Sequence, residues 1–301
     1  AHTILQSASS REELGNLWQI HQALLAWQRR EPLAALQLFE QARQTITVLP
    51  VRYAVLYAQL LREARPGDLP AFLAAHAQQN PDDELTQNLL RRVAQGKDED
   101  IAFPGTPQAG MAQALFDVAG ILNRSQSRHV GILFARLALD LNPEFGFARL
   151  LLGNMLEAEN RHPEARHVYA SIPQASPFWW VGQVRLAAVL DAENKPEAAI
   201  STLSRLLQQA PHLLSATVEL GDILRREERF AEAAAVYTDA ISKLGAPHER
   251  HWSLYYARGI ARERLRQWPQ AEADLKKALQ LKPGQPYVLN YLAYSWIEQN
   301  R

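Results

Sequence analysis

Prolines recur at a fixed interval along the second half of this chain. Pro143, Pro177 and Pro211 are 34 residues apart, and Pro283 follows after two further intervals and four extra residues. Proline ends a helix because it lacks a backbone N–H and its ring clashes with the preceding turn. A unit of this length cannot bury a hydrophobic face alone, so neighbouring units must stack. The spacing therefore predicts an array of helical repeats.

Small residues follow the same period. The first series gives one small residue in the first helix of each unit. The second series gives one small residue in the second helix, and the third series gives the residue four positions after it. The three series are Ala119, Gly153, Ala187, Gly221 and Gly259; Gly131, Ala165, Ala199, Ala233 and Ala271; and Ala135, Tyr169, Leu203, Tyr237 and Leu275. Small side chains let two helices approach closely, so each unit is predicted to contain a pair of crossing helices.

These residues resemble the tetratricopeptide repeat, a helical unit of 34 residues. The best copies are Leu220 and Gly221 with Ala233, Tyr237 and Ala240, and Arg258 and Gly259 with Ala271, Leu275, Ala278 and Pro283. The resemblance implies an all-α chain that forms a right-handed superhelical solenoid of helix-turn-helix repeats. Five complete units are expected to start near residues 112, 146, 180, 214 and 252, and a sixth near Pro286.

The domain organisation is predicted in three parts. Residues 1–95 form degenerate helical repeats, in which Pro32 can open a second helix, and residues 112–301 form the array. The intervening segment, 96–111, is rich in proline and glycine and is either a linker or an ordered strap across the repeats. Ile101 and Phe103 favour the strap, since a fully mobile linker rarely carries such side chains. The last helix, around Tyr291 to Ile297, is apolar and lacks a second helix, which predicts that the array continues past Arg301.

Composition argues against several classes of function. Lys and Arg number 32, as do Asp and Glu, so the formal net charge is zero and bulk attraction of nucleic acid is not expected. The chain has no cysteine, and its closest histidine groups lack the spacing and the third ligand of a metal site. No phosphate-binding loop, G-x-S-x-G or H-E-x-x-H motif occurs. We therefore expect no catalysis, cofactor or metal.

The resemblance also implies a binding groove lined by the second, fifth, ninth, twelfth and thirteenth residues of each unit. The candidates for contact with a partner are Asn154, Glu157, Asp191, Asp222, Arg225, Arg226, Tyr256, Glu263, Tyr287, Asn290 and Tyr294. Tyrosine and arginine are the side chains that most often anchor protein interfaces, and here they concentrate towards the C-terminus. A protein or peptide is the expected partner.

A narrower resemblance lies in three C-terminal segments, 251–261, 267–275 and 287–292. They are similar to long proteobacterial repeat proteins that are exported to the periplasm and often held at the outer membrane by a lipid anchor. That resemblance implies a periplasmic scaffold with a membrane tether outside the sequence, and it suggests a carboxyl-terminal processing protease as partner. A self-associating scaffold is the alternative, and a carbohydrate scaffold would need exposed platforms at Trp27, Trp179 and Trp180.

Overall fold

The computed structural model describes residues 8–44, 46, 49–80, 83–102, 104–124, 127–244 and 246–298, and the sequence-based expectation for Phe103 falls outside them. Sixteen α-helices and no strand occur in these ranges. The helices are α1 Ala8–Gln28, α2 Pro32–Arg43, α3 Val51–Ala64, α4 Leu69–Gln79, α5 Glu84–Ala94, α6 Pro107–Asn123, α7 Arg128–Leu141, α8 Gly146–Ala158, α9 His162–Ala170, α10 Trp179–Ala192, α11 Pro196–Gln209, α12 Leu214–Arg226, α13 Phe230–Lys243, α14 Trp252–Arg264, α15 Trp268–Leu281 and α16 Pro286–Glu298.

The chain divides into two compact units, residues 1–182 and 183–301. The first unit therefore contains both the predicted degenerate repeats and the start of the predicted array. Helices α6 and α7 pack together in this unit, as do α8 and α9. In the second unit α12 packs on α13, α14 packs on α15, and α16 packs on α15.

Four repeats, α8–α9, α10–α11, α12–α13 and α14–α15, turn between their two helices through a residue with a left-handed backbone. Asn160, Asn194, Glu228 and Arg266 all have φ between 57° and 60°. The residue after each donates its backbone N–H to a carbonyl five residues earlier, as Arg229 does to Leu224 at 2.8 Å. This is the capping arrangement that satisfies the last carbonyls of a helix. Arg30, with φ 62°, occupies the same place between α1 and α2, so the same turn occurs in the degenerate region.

The helices cross at the small residues, as the sequence predicts. A Cβ atom added to Gly153 or Gly221 would overlap the ring of Tyr169 or Tyr237, and one added to Gly259 would lie 3.1 Å from Leu275. Both tyrosines are fully buried. The large side chain of the second helix therefore fills the space that the missing side chain of the first helix leaves open.

Between α5 and α6 the chain forms a tethered segment, described at residues 96–102 and 104–106, which we call the strap. Its Asp98 accepts hydrogen bonds at 2.6 Å from Gln59 and from Arg62, and Ile101 is only 2% exposed. The strap is shorter than the predicted 96–111, because Thr106 caps α6 through Ala109 N–H and Pro107 occupies its first turn. The first repeat of the array accordingly begins at residue 107 rather than near 112.

Candidate functional site

The predicted groove residues belong to two different compact units. Asn154 and Glu157 lie on α8 in the first unit, and the other nine lie on α10, α12, α14 and α16 in the second. We describe the two groups separately. All eleven are carried by the first helix of a pair, as the repeat pattern predicts.

On α12, the Asp222 carboxylate accepts a hydrogen bond from a buried tyrosine of α13. The Tyr237 hydroxyl donates to Asp222 Oδ1 at 2.9 Å, reaching it through the gap that Gly221 leaves. Arg225 Nη2 lies 3.3 Å from the same oxygen. Burial and the Asp222 carboxylate raise the pKa of the tyrosine, which therefore stays protonated. Burial opposes the charge of Arg225, but Asp222 and Tyr237 outweigh it and raise the arginine pKa.

A second ion pair joins neighbouring first helices. Arg226 Nη2 lies 2.6 Å from Asp191 Oδ2, which connects α12 to α10. The arginine side chain is about half exposed, so water and salt screen this pair. Glu219, on the same helix, has a pKa raised by burial, and the charge of Arg226 offsets part of that shift. Most of the charges on this face are therefore already neutralised within the protein.

Aromatic rings continue the face onto α14 and α16. The Tyr256 ring centroid is 6.0 Å from that of Trp252 and 6.0 Å from that of Tyr291. Burial raises the pKa of Tyr256, and the Arg225 charge partly opposes this shift. The Tyr291 hydroxyl donates to Glu263 Oε2 at 2.8 Å. Glu263 is only 9% exposed, so this candidate is placed at a seam between helices rather than in open solvent.

The outer part of the face is exposed on α16. Tyr287 is 71% exposed and Tyr294 is 64% exposed, and Asn290 lies exposed between them. Ile297, which is not among the predicted groove residues, is 71% exposed and lies one helical turn after Tyr294. The opposite side of α16 packs Val288 and Leu292 against Tyr255, Leu275 and Ala278. We use the term tyrosine face for Arg225, Arg226, Tyr256, Tyr287, Asn290, Tyr294 and Ile297.

In the first compact unit, a buried tyrosine likewise donates a hydrogen bond to a residue of α8. The Tyr169 hydroxyl donates to Asn154 Oδ1 at 2.7 Å, passing the gap at Gly153. Asn154 is exposed, and Glu157 is half-buried on the same helix. The sequence predicts both tyrosines at helix crossings. It does not predict that their hydroxyls donate hydrogen bonds to groove residues. The signal was present, because a glycine and a polar residue stand together at Gly153–Asn154 and Gly221–Asp222.

The described residues bear on three other kinds of site, for a metal ion, a membrane and a carbohydrate. No cluster of histidine, aspartate and glutamate suits a metal ion in the part of the chain that the structure describes. None of its described helices is both long and apolar enough to cross a bilayer. Trp27, Trp179 and Trp180 are all half-buried, so none of them offers the open platform that sugar stacking needs.

Comparisons with known proteins identify the fold. Residues 147–253 match the model of the tetratricopeptide repeat-like domain. The Cut9–Hcn1 hetero-tetramer of the APC/C is similar to this chain at a TM-score of 0.51 with 15% identity, covering 93% of this chain and 57% of that one. The fold is a tetratricopeptide repeat solenoid. This agrees with the helix pairs, the turns and the glycine crossings described above.

Two further solved structures are similar at lower scores. PilF of Pseudomonas aeruginosa has 17% identity and a TM-score of 0.49, covering 77% of this chain and 98% of its own. YrrB, a repeat protein with an unusual peptide-binding site, has 19% identity and a TM-score of 0.46, covering 60% of this chain and 91% of its own. No curated protein matches the chain by sequence.

Proposed function

We propose that this tetratricopeptide repeat protein is a non-catalytic scaffold that binds a protein or peptide partner through the tyrosine face. The observation that carries the proposal is the exposure of Tyr287, Tyr294 and Ile297 on one side of α16. Large apolar side chains grouped on a surface are typical of interaction sites. Tyr256 and Arg225 extend the same face onto α14 and α12, and tyrosine and arginine are frequent anchors of interfaces.

The chemistry of the face favours aromatic contacts over net charge. Asp191 is paired with Arg226, and Asp222 is held by Tyr237 and Arg225. Charges that are already paired contribute little long-range attraction, so a partner gains most from covering the rings and bonding to their hydroxyls. Binding to this face should therefore depend only weakly on salt.

The absence of catalysis is part of this proposal. The fold generally serves as a scaffold for other proteins, and the acidic and basic groups of the face are committed to one another. Tyr237 and Tyr291, whose pKa values are raised by burial, stay neutral and bond to Asp222 and Glu263. Their role in this proposal is to hold the groove residues in place.

The finer parts of the proposal concern location and partner. We infer a periplasmic scaffold, tethered at the outer membrane, whose partner is a carboxyl-terminal processing protease or its substrate. Support comes from the similarity of residues 251–261, 267–275 and 287–292 to exported proteobacterial repeat proteins. This part stands apart from the tyrosine face, because a different partner would leave the binding mode unchanged.

Affinity capture from the native host tests the proposal. The wild-type chain is compared with Tyr287→Ser, Asn290→Ser and Tyr294→Ser combined, since these exposed side chains can change without disturbing the core. Leu133→Ser and Leu137→Ser combined is the matched control, because both leucines are exposed on the second helix α7. The proposal predicts partners that are lost from the triple variant and kept by the control. Equal recovery with all three proteins would place the binding site elsewhere.

Self-association is the second candidate, and the same exposed side of α16 favours it. An apolar helix side on a repeat array can pack against a second copy as well as against a different protein. Sedimentation of the wild-type chain across a hundredfold range of concentration distinguishes the two. Concentration-dependent dimers that Ile297→Ser and Tyr294→Ser abolish would support self-association, and a monomer throughout would reject it.

A further inference from the structure

A half-enclosed cavity lies between the strap and the helices α3, α6 and α8 of the first unit. Its volume is about 220 Å³. Pockets for drug-sized ligands usually span about 300 to 1,000 Å³, so this one suits a smaller molecule. We call it the strap pocket. It is distinct from the tyrosine face, which belongs to the second unit.

The floor of the strap pocket carries a buried positive charge. Arg52 is 4% exposed, and it donates to Gln113 Oε1 at 2.9 Å, to the Ile101 carbonyl at 2.8 Å and to the Ala102 carbonyl at 3.2 Å. All three acceptors are neutral, and none of the carboxylates that the structure describes is hydrogen-bonded to this guanidinium. Burial lowers the Arg52 pKa to about 10, although the charge of Asp117 opposes the shift. A buried cation without a direct counter-ion is costly, and a ligand carboxylate would relieve that cost.

The guanidinium still has donors to offer. An arginine side chain carries five N–H groups, and the three bonds described above use three of them. The guanidinium carbon lies 5.5 Å from the Phe145 ring centroid and 5.1 Å from that of Phe147, so the rings hold its orientation. An oriented arginine with two spare donors is the geometry that recognises a carboxylate.

The rim of the same pocket carries the opposite charge. Glu99 and Glu144 line the opening and are both exposed. Neither forms an ion pair with any residue in the described ranges of the chain. The walls between the floor and the rim are apolar, formed by Ile101, Pro104 and the two phenylalanines. A buried arginine, two exposed glutamates and apolar side chains thus line one small space.

We propose that the strap pocket binds a free α-amino acid with an apolar side chain. Its carboxylate bonds to the spare donors of Arg52, its ammonium group lies against Glu99 and Glu144, and its side chain contacts Phe145 and Phe147. A simple anion such as phosphate would be repelled by the two glutamates. A simple amine would leave the buried arginine without a counter-ion. Only a ligand with both charges close together satisfies the floor and the rim.

Calorimetric titration of the full chain with L-leucine, L-phenylalanine and two leucine analogues tests the charges. Leucinamide lacks the carboxylate, and N-acetyl-leucine lacks the ammonium group. The proposal predicts saturable binding of at least one amino acid, with both analogues at least tenfold weaker. Glu99→Gln with Glu144→Gln should weaken the amino acid at least fivefold. Analogues that bind as well as leucine, or no binding of either amino acid at millimolar concentration, would overturn the proposal.

A steric variant locates the site without touching Arg52, whose loss would free the strap. Gly105 lines the pocket, and a Cβ atom added to it meets no atom within 4 Å, so Gly105→Leu places a branched side chain at the pocket without a clash. Gly67 is equally open but lies in the turn before α4, so Gly67→Leu is the matched control. Binding should disappear in Gly105→Leu and persist in Gly67→Leu. Binding retained by Gly105→Leu would place the amino acid elsewhere and reject the strap pocket.

Discussion

At the scale of single residues, this protein depends on positions where a side chain is missing. Gly153 and Gly221 leave room for Tyr169 and Tyr237, and the hydroxyls that pass through those gaps hold Asn154 and Asp222. The sequence predicted the close approach, because small residues recur every 34 positions. It did not predict the hydrogen bonds, since these depend on how far a tyrosine reaches across the helix crossing.

Gly221→Leu tests the crossing directly. A branched side chain at this position would overlap the Tyr237 ring, and overpacking of this kind costs about 1 to 3 kcal/mol in the free energy of unfolding. Urea denaturation measures the loss, and hydrogen exchange should show reduced protection in α12, α13 and the repeat that follows them. The open position Gly67 supplies the control, Gly67→Leu. Unchanged stability and exchange would contradict the assigned register.

His76 predicts a dependence of stability on pH. Burial lowers its pKa below 6.5, with the Asp83 charge opposing the shift, and its Nε2 has no hydrogen-bond partner among the residues that the structure describes. The unfolded chain therefore binds the proton first as pH falls, so the free energy of unfolding decreases below about pH 6.5. His76→Gln should flatten this decrease when denaturation is followed from pH 8 to pH 5. Parallel curves for wild type and variant would show that His76 is not responsible.

At the scale of elements, the pairing of helices was predictable and the ends of the connecting segments were less so. Four second helices, α2, α9, α11 and α15, have a proline in their first turn. The first helices α8, α12, α14 and α16 begin at the predicted residues 146, 214, 252 and 286. The left-handed turn residues were missed, because asparagine, which tolerates this backbone angle, stands at only two of the four positions, and Glu228 and Arg266 occupy the other two. The strap was predicted to reach residue 111, since the helix-capping role of Thr106 was not recognised.

Tyr237→Phe probes how a second helix supports the residues that the first helix presents. The change removes the hydrogen bond to Asp222 while keeping the ring that fills the Gly221 gap, so the cost should be about 1 kcal/mol. Tyr169→Phe is the matched variant, because its partner Asn154 is neutral and exposed. Thermal denaturation should show a smaller loss for Tyr169→Phe. An equal or larger loss there would mean that the charge of Asp222 adds nothing.

At the scale of the whole molecule, the fold could be predicted from the sequence and the binding site only in outline. The 34-residue period specifies stacked helix pairs, whatever those pairs bind. The candidate residues do lie on first helices, but Glu263 is buried against Tyr291, and Ile297 joins the exposed set. Exposure depends on what packs against each helix, which a period alone does not encode. The strap pocket was also missed, because it joins residues from three separate parts of the chain.

Photo-crosslinking in the native host tests the central claim, that a partner binds the tyrosine face. A photoreactive phenylalanine analogue is placed at Tyr287 or Tyr294, and at Ala235 on the second helix α13 as control, all of which are exposed. The account predicts a discrete crosslinked product of the same partner from Tyr287 and Tyr294, and none from Ala235. A partner crosslinked equally from Ala235, or from that position alone, would contradict it.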